Sequence, residues 1–404
     1  MKDNHCQYFI TTALDEIAWL LNLRGNDIPF NPVFISYVVV SLDKVHLFAN
    51  KKVNLENLEV HPYKNVTEFL SKIEDTIWVD TNVCNMNIYQ SIKKPFSKDS
   101  PIILQKAIKN EKELEGMRKC QERDAVALVK YLYWLETELK QGNVVDEVSG
   151  ADKLEAFRKE NEKFVSLSFD SISAMGANGS IIHYKPEKDT CSKINMRELY
   201  LIDSGAQYLD GTTDTTRTVH FGTPSQYEKE CFTSVLKGHI ALDTAIFPAG
   251  TSGGRLDTLA RQFLWRNGQN YLHGTGHGVG HFLNVHEGPH SISMRDSSNT
   301  IIYPGMVTSN EPGYYEDKKF GIRIESLIVC KEVKNIKYPS KTKYLEFEHI
   351  TYVPFQTSLI DINLMSRNEI KWVNDYNQLC FNILKKQIKD NELLHWLENY
   401  CKEI

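Results

Sequence analysis

The chain has 404 residues, with 47 Lys and Arg against 52 Asp and Glu, a formal net charge of -5 and 41% hydrophobic residues. This length allows a large core and two domains. Because the charges are nearly balanced, the chain lacks the excess of basic residues that is typical of a nucleic-acid-binding protein. No nucleic-acid partner is therefore expected.

Neither a secretion signal nor a membrane span is predicted. The apolar run from Ile17 to Leu23 is short and directly follows two acidic residues, so it fits neither class. The eight cysteines are spread singly, without a CxxC pair or zinc-finger spacing. We therefore expect reduced thiols in a cytoplasmic protein that has no membrane partner.

The first hundred residues predict a compact mixed α/β unit. Apolar segments at residues 34–42 and 76–80 have the character of strands, and they alternate with polar helical or loop stretches. Asn110 followed by Glu113 forms a capping box, which predicts a helix whose apolar stripe ends near Gly142.

Helices and strands alternate through the rest of the chain. Capping boxes at Ser225 and Ser366 open two helices, and another helix begins after Ser252 and closes at Gly268. The strand-like segments between them carry acidic residues. We predict an α+β fold in which a curved, mostly antiparallel sheet holds a cleft and helices cover its outer face.

Four carboxylates and one imidazole lie beside apolar or turn-forming sequence, which is unusual for solvated acids. They are Asp203, Asp214, His277, Glu311 and Glu325. Asp203 ends an apolar run, and Asp214 follows in a second strand-like segment. The two segments are close enough in sequence to be antiparallel neighbours whose acids face one pocket.

This set of side chains favours divalent ions such as manganese, cobalt or zinc, and the ligand types do not choose among them. Two ions about 3.5–4 Å apart would need bridging carboxylates and could share a hydroxide that acts as a nucleophile. An isolated acid is usually an ion-paired surface residue, but five such residues together predict a hydrolase.

Other mechanisms fit the sequence less well. There is no Gly-x-Ser-x-Gly elbow and no cysteine in an electropositive setting, which argues against a serine or cysteine nucleophile. The glycines at 274, 276, 278 and 280 alternate strictly and do not match the Gly-x-Gly-x-x-Gly dinucleotide loop. We interpret them as allowing close backbone approach around His277.

Several motifs carry a family resemblance that runs nearly end to end. The motifs are Ala13-Leu-Asp-Glu-Ile-Ala-Trp, Leu201-Ile-Asp-Ser-Gly-Ala-Gln, Asp210-Gly-Thr-Thr-Asp-Thr-Thr-Arg-Thr, His273-Gly-Thr-Gly-His-Gly-Val-Gly, Asn284-Val-His-Glu-Gly-Pro, Glu311-Pro-Gly-Tyr-Tyr and Gly321-Ile-Arg-Ile-Glu. Together they resemble the Xaa-Pro aminopeptidases (aminopeptidase P) of the cytosolic eukaryotic type.

The resemblance implies a domain plan. A partial creatinase N-terminal-like domain would span residues 1–107, a pita-bread metallopeptidase domain residues 108–348, and a C-terminal helical extension residues 349–404. Long members of the family carry a further domain before the Ala13 motif, so the chain is expected to lack the usual first domain. The apolar stripe of the extension is expected to serve packing or a homodimer contact rather than a membrane.

The resemblance also implies roles for individual residues. Asp203 would bind one metal, His277 and Glu311 the other, and Asp214 and Glu325 would bridge both. Glu311 would also be the general base.

The remaining implied residues surround the metals. His183 and His286 would contact substrate and stabilise the oxyanion, and His273 would line the pocket. The position of Arg323 gives a further expectation that is independent of the resemblance: it lies two residues before Glu325, so in a strand it would share that residue's face and would pair with a ligand carboxylate. The alternatives are a structural salt bridge for Arg323 and hydrogen-bonded core histidines for His183 and His273. His281 receives no role.

The expected activity is release of the N-terminal residue from peptides that have proline in second position. The expected cofactor is a pair of Mn²⁺ ions, with Zn²⁺ or Co²⁺ as alternatives, and the expected assembly is a homodimer. Two rivals remain open, a prolidase restricted to Xaa-Pro dipeptides and a catalytically silent pita-bread scaffold that binds peptides or proteins.

Overall fold

The structure is a computed structural model that describes residues 1–51, 53, 55–295, 299–338 and 340–404. It contains two compact units, Met1–Lys106 and Ala107–Ile404. Within the described ranges, no helix is long and apolar enough to cross a membrane. All eight cysteines lie in these ranges and are unpaired, as predicted.

The first unit is built on one mixed sheet of six strands in the order β4-β3-β2-β1-β5-β6. The strands are β1 (Tyr8–Thr11), β2 (Ser36–Ser41), β3 (Val45–Ala49), β4 (Leu58–His61), β5 (Ile77–Val79) and β6 (Pro95–Ser97). The helices are α1 (Leu14–Leu21), α2 (Val66–Ser71), α3 (Met86–Gln90) and α4 (Pro101–Ala107). The predicted strands at residues 34–42 and 76–80 are confirmed as β2 and β5.

Strand direction changes within this sheet. Strand β2 is antiparallel to β1 and β3, whereas β5 lies parallel to β1 and β6, and β4 lies parallel to β3. Apolar side chains such as Ile10, Val39, Phe48 and Leu70 are almost fully buried in one cluster. Burial of each such side chain stabilises the unit by about 1.5–3 kcal/mol relative to exposure.

In the second unit, helices alternate with groups of antiparallel strands.

The helices of the second unit are α5 (Glu111–Lys140), α6 (Glu147–Lys159), α7 (Gln226–Asp243), α8 (Gly253–Arg266), α9 (Arg367–Leu384) and α10 (Asn391–Tyr400). Its strands are β7 (Phe164–Leu167), β8 (Ile172–Met175), β9 (Tyr200–Ser204), β10 (Ala206–Tyr208), β11 (Gly211–Thr212), β12 (Thr215–Val219), β13 (Ile246–Pro248), β14 (Gly276–Gly278), β15 (Glu287–Ile292), β16 (Val307–Asn310), β17 (Gly313–Glu316), β18 (Phe320–Arg323), β19 (Ser326–Glu332) and β20 (Tyr344–His349).

The described strands of this unit form four sheets, with the orders β11-β10-β7, β12-β9-β8, β13-β20-β19-β16-β14-β15 and β17-β18. Every pairing between these described strands is antiparallel. The α+β class predicted from the sequence is therefore confirmed.

The predicted helix starts are also confirmed. The Asn110 side chain accepts hydrogen bonds from the backbone N–H groups of Lys112 and Glu113, and Glu113 accepts one from the Asn110 N–H. Ser225 and Ser366 begin α7 and α9 with the same reciprocal arrangement. Each cap satisfies N–H groups that a helix start otherwise leaves without a partner.

The C-terminal helices are part of the core of this unit. Val373, Tyr376 and Cys380 of α9 and Leu393 and Leu397 of α10 are buried in the same cluster as the residues of α5 and α7. The apolar stripe predicted for residues 349–404 is thus used for packing within the chain. The homodimer remains a prediction. The stripe does not support it, because its apolar side chains are already buried within the chain.

Candidate metal centre

Asp203 and Asp214 are brought together by two neighbouring antiparallel strands. Asp203 lies in β9 opposite Thr216 of β12, and Asp214 directly precedes β12. The predicted antiparallel pairing is confirmed. Asp203 is 8% exposed and Asp214 is 3% exposed, so both carboxylates are removed from bulk water.

His277 lies in β14, between two glycines. The packing leaves no room for a side chain at either of them. A Cβ on Gly276 would lie 2.0 Å from the Ser309 carbonyl oxygen, and one on Gly278 would lie 2.2 Å from that of Glu287. The predicted close backbone approach is confirmed.

The imidazole of His277 is oriented by its own strand. Its Nδ1 donates to the Gly278 carbonyl oxygen at 2.9 Å. Its Nε2 therefore faces the carboxylates, 3.3 Å from Asp214 Oδ2 and 3.5 Å from Glu311 Oε1. A neutral imidazole in this tautomer would present the Nε2 lone pair to a metal.

Glu311 and Glu325 are each held by a hydroxyl group. Glu311 follows β16, and the Ser309 hydroxyl donates to its Oε1 at 3.0 Å. The Thr216 hydroxyl donates to Glu325 Oε2 at 2.7 Å. Glu325 does not lie in a strand with Arg323 as expected, because β18 ends at Arg323 and β19 begins at Ser326.

The carboxylates have pKa values that reflect burial near one another. Burial, with Asp214 and Asp203 nearby, raises the pKa of Glu311 to about 7, although His277 and Arg323 oppose the shift. Burial also raises the pKa of Asp214 and of Glu325. Burial lowers the pKa of His277, but Asp214 and Glu311 outweigh it and raise that pKa to about 9. Burial and mutual repulsion thus disfavour the ionised carboxylates, and a bound cation would offset both effects.

The side chains present fit divalent metal ions. Ligand atoms of Asp214, His277 and Glu325 all lie within 4.8 Å of one another. Asp203 Oδ1 is buried and has no hydrogen-bond partner among the described residues, as expected for an oxygen left free to bind a cation. Carboxylate oxygens with one imidazole nitrogen suit hard or borderline divalent ions.

Arg323 connects this centre to His273 through a tyrosine. Its Nη2 donates to Asp203 Oδ2 at 2.6 Å, and its Nη1 donates to the Tyr315 hydroxyl at 2.7 Å. The Tyr315 hydroxyl lies 2.8 Å from His273 Nε2, while His273 Nδ1 donates to the Gly274 carbonyl oxygen. The expected contact of Arg323 with a candidate ligand carboxylate is present.

The sequence did not single out Tyr315. It lies in the Glu311-Pro-Gly-Tyr-Tyr motif, but that motif alone does not show which of its two tyrosines faces the centre. Strand β17 alternates, so Tyr315 points to Arg323 and His273 while the Tyr314 hydroxyl contacts Tyr227 and Glu316.

A cavity of about 580 Å³ opens onto the candidate ligands. His183, His273 and His286 line it together with the five predicted ligands and Arg323. The His286 ring lies edge-on to His277, with ring centroids 4.3 Å apart. Lining residues not predicted from the sequence include Phe169, Ile172, Ile182, Tyr184 and Arg295. Their local sequence carries no signal that distinguishes them from residues outside the site.

Comparison with known proteins places the chain in a family. Residues 115–332 match metallopeptidase family M24, residues 1–113 match the creatinase/prolidase N-terminal domain, and residues 343–404 match the C-terminal region of peptidase M24. The family resemblance stated from the motifs is confirmed, and so is the pita-bread fold with its creatinase N-terminal domain.

Among its relatives, the probable Xaa-Pro aminopeptidase P of Laccaria bicolor is 47% identical over 100% of this chain and 66% of the relative. That of Talaromyces marneffei is 48% identical over 98% of this chain and 64% of the relative. The chain thus spans about two thirds of the length of these curated relatives.

A solved structure resembles the whole chain. The X-prolyl aminopeptidase from Caenorhabditis elegans, described as a cytosolic enzyme with a di-nuclear active site, is 38% identical with a TM-score of 0.95. The match covers 100% of this chain and 69% of that one. The chain therefore belongs to metallopeptidase family M24, among the sequences named Xaa-Pro aminopeptidase P.

Proposed function

We propose that the chain is a metal-dependent aminopeptidase that releases the N-terminal residue from peptides with proline in second position. The observation that carries the proposal is the convergence of Asp214, His277 and Glu325 within 4.8 Å, in a cavity also lined by Asp203 and Glu311. The names of the relatives supply the Xaa-Pro specificity.

In this proposal, five side chains hold two divalent ions, with manganese favoured. The residues that would hold these ions are Asp203, Asp214, His277, Glu311 and Glu325, all of which line the cavity. When bound, such ions activate water and polarise the scissile carbonyl group. The solved relative described as having a di-nuclear active site supports the number of ions.

The chain's own residues position and protonate the reacting groups. Glu311 is the proposed general base, as the family resemblance implies, and its carboxylate faces the cavity, where the Ser309 hydroxyl holds it. Arg323 holds Asp203 in place at 2.6 Å. His183 and His286 line the cavity, where they are able to contact the substrate carbonyl.

Proline in second position has no N–H and a restricted backbone, so its recognition depends on the shape of the cavity. The apolar side chains of Phe169, Ile172 and Ile182 offer such a surface next to His183. A cytosolic location and a homodimer complete the proposal, the first supported by the description of the Caenorhabditis elegans relative.

The test compares hydrolysis of Arg-Pro-Pro with that of an Arg-Pro dipeptide. We expect cleavage before the first proline of the tripeptide, loss of activity after chelation and recovery with Mn²⁺. Preference for the dipeptide would indicate a prolidase instead. An inert chain that takes up no metal would indicate a silent scaffold.

A matched pair of variants tests the metal centre. Asp214→Asn removes a proposed bridging carboxylate, and we expect activity to fall by more than ~100-fold. This loss is larger than the one usually seen when the replaced residue only hydrogen-bonds to a metal ligand. Asp210→Asn is the control, since that carboxylate pairs with Arg123 and Lys163 rather than lining the cavity. Equal activity of the two variants would contradict the assignment.

A further inference from the structure

A second group of metal-binding side chains lies in the first unit. His46 Nδ1 is 3.2 Å from His61 Nε2 and 3.3 Å from Glu59 Oε2, and His61 Nε2 is 4.0 Å from the same oxygen. Ligand atoms of these three residues lie within 4.8 Å of one another. The proposed aminopeptidase activity uses none of them.

The sheet places the three side chains on one face. His46 of β3 lies opposite Glu59 of β4, and Phe48 lies opposite His61. Because side chains two residues apart share a face, His46, Glu59 and His61 project to the same side of neighbouring parallel strands. The cluster is thus built by backbone register rather than by flexible loops.

The spacing of the three atoms is close to that of a metal's ligands. Tetrahedral zinc sites have ligand distances of about 2.0–2.2 Å, so neighbouring ligand atoms are separated by about 3.3–3.6 Å. The observed separations of 3.2, 3.3 and 4.0 Å bracket that range. Small rotations of the Glu59 and His61 side chains would bring all three onto one ion.

Neighbouring side chains hold these ligands in place. The His61 ring stacks on Phe48 with centroids 4.9 Å apart, and the Phe69 ring lies 4.7 Å from that of His46. Lys44 donates to Glu59 Oε1, which leaves Oε2 directed at the two imidazoles.

We propose that His46, Glu59 and His61 form a separate site for one zinc-class divalent cation that links β4, at the edge of the sheet, to β3. Two imidazoles and one carboxylate suit Zn²⁺, Co²⁺ or Ni²⁺ better than Mn²⁺, which prefers oxygen ligands. The fourth position would hold water. Because β4 pairs only with β3 among the described strands, such an ion would stabilise this edge.

The experiment counts zinc in the full chain. The protein is stripped with chelator, loaded with Zn²⁺, desalted and measured by inductively coupled plasma mass spectrometry. We expect Glu59→Gln and His61→Gln each to hold one zinc ion fewer per chain than the unmodified protein. Since the comparison is a difference, it is independent of how many ions the proposed catalytic centre retains.

His5→Gln is the matched control, because His5 is exposed and lies in the same unit outside the cluster. Added Zn²⁺ should also raise the melting temperature of the unmodified chain and of His5→Gln more than that of His61→Gln. The Glu59 side chain is 44% exposed, so Glu59→Gln should fold normally. Equal zinc counts in the unmodified chain and both cluster variants would overturn the proposal.

Discussion

Replacement of Tyr315 by phenylalanine tests how the candidate metal centre is supported. The substitution keeps the ring and removes a hydroxyl that accepts from Arg323 at 2.7 Å and lies 2.8 Å from His273 Nε2. Arg323 would retain its contact with Asp203 but lose the partner that fixes its second nitrogen.

The expected magnitude follows from these two hydrogen bonds. Leaving a buried donor or acceptor without its partner costs about 1–3 kcal/mol. If about 1.4–2.8 kcal/mol of this cost is added to the activation free energy of the reaction, kcat/KM falls ~10–100-fold. We expect the loss mainly in kcat, since the Tyr315 hydroxyl is engaged by Arg323 and His273 rather than directed at substrate.

The assay measures kcat and KM for Arg-Pro-Pro hydrolysis, together with metal content. Tyr314→Phe is the control, because that neighbouring hydroxyl contacts Tyr227 and Glu316 instead. Its activity should stay within about twofold of the unmodified chain, as for substitutions away from the centre. Unchanged kcat/KM in Tyr315→Phe at full metal content would refute the reasoning.

Three further outcomes are expected. Arg323→Lys should lower kcat by ~10–100-fold, because an ammonium group cannot reproduce the contacts that the planar guanidinium group makes to Asp203 and Tyr315. An unchanged kcat would contradict this role of Arg323. Metal affinity should rise with pH through about 7 and on towards about 9, since the metal displaces a proton from Glu311 and one from His277. Calorimetry in buffers of different ionisation enthalpy should detect the proton release. Burial lowers the pKa of His239 to about 4. The free energy of unfolding should therefore be unaffected by this residue above about pH 6.5 and should fall by up to roughly 3 kcal/mol towards pH 4, because the unfolded chain binds the proton more readily. Urea unfolding of His239→Gln should show a weaker pH dependence.

Local features of this chain were predictable from short stretches of sequence. The capping boxes at Asn110, Ser225 and Ser366 depend on residues three positions apart, so the sequence alone identifies them. The alternating glycines around His277 likewise predicted close backbone contacts, and the structure contains them.

The arrangement of the candidate centre depended on long-range pairing. The hydroxyl of Thr216 that holds Glu325, and Tyr315 that joins Arg323 to His273, had no distinguishing local signal. Glu325 was expected within a strand, yet it occupies the short connection between β18 and β19.

The amino-acid sequence by itself determined the element types, the candidate ligands and the family to which they point. Only the tertiary structure decided which oxygen and nitrogen atoms face one another, and that one oxygen of Asp203 has no hydrogen-bond partner in the part of the chain that the structure describes. The physical reason is that side-chain chemistry and helix caps are local properties. Distances between residues remote in sequence are set instead by strand register and by the packing of the whole core.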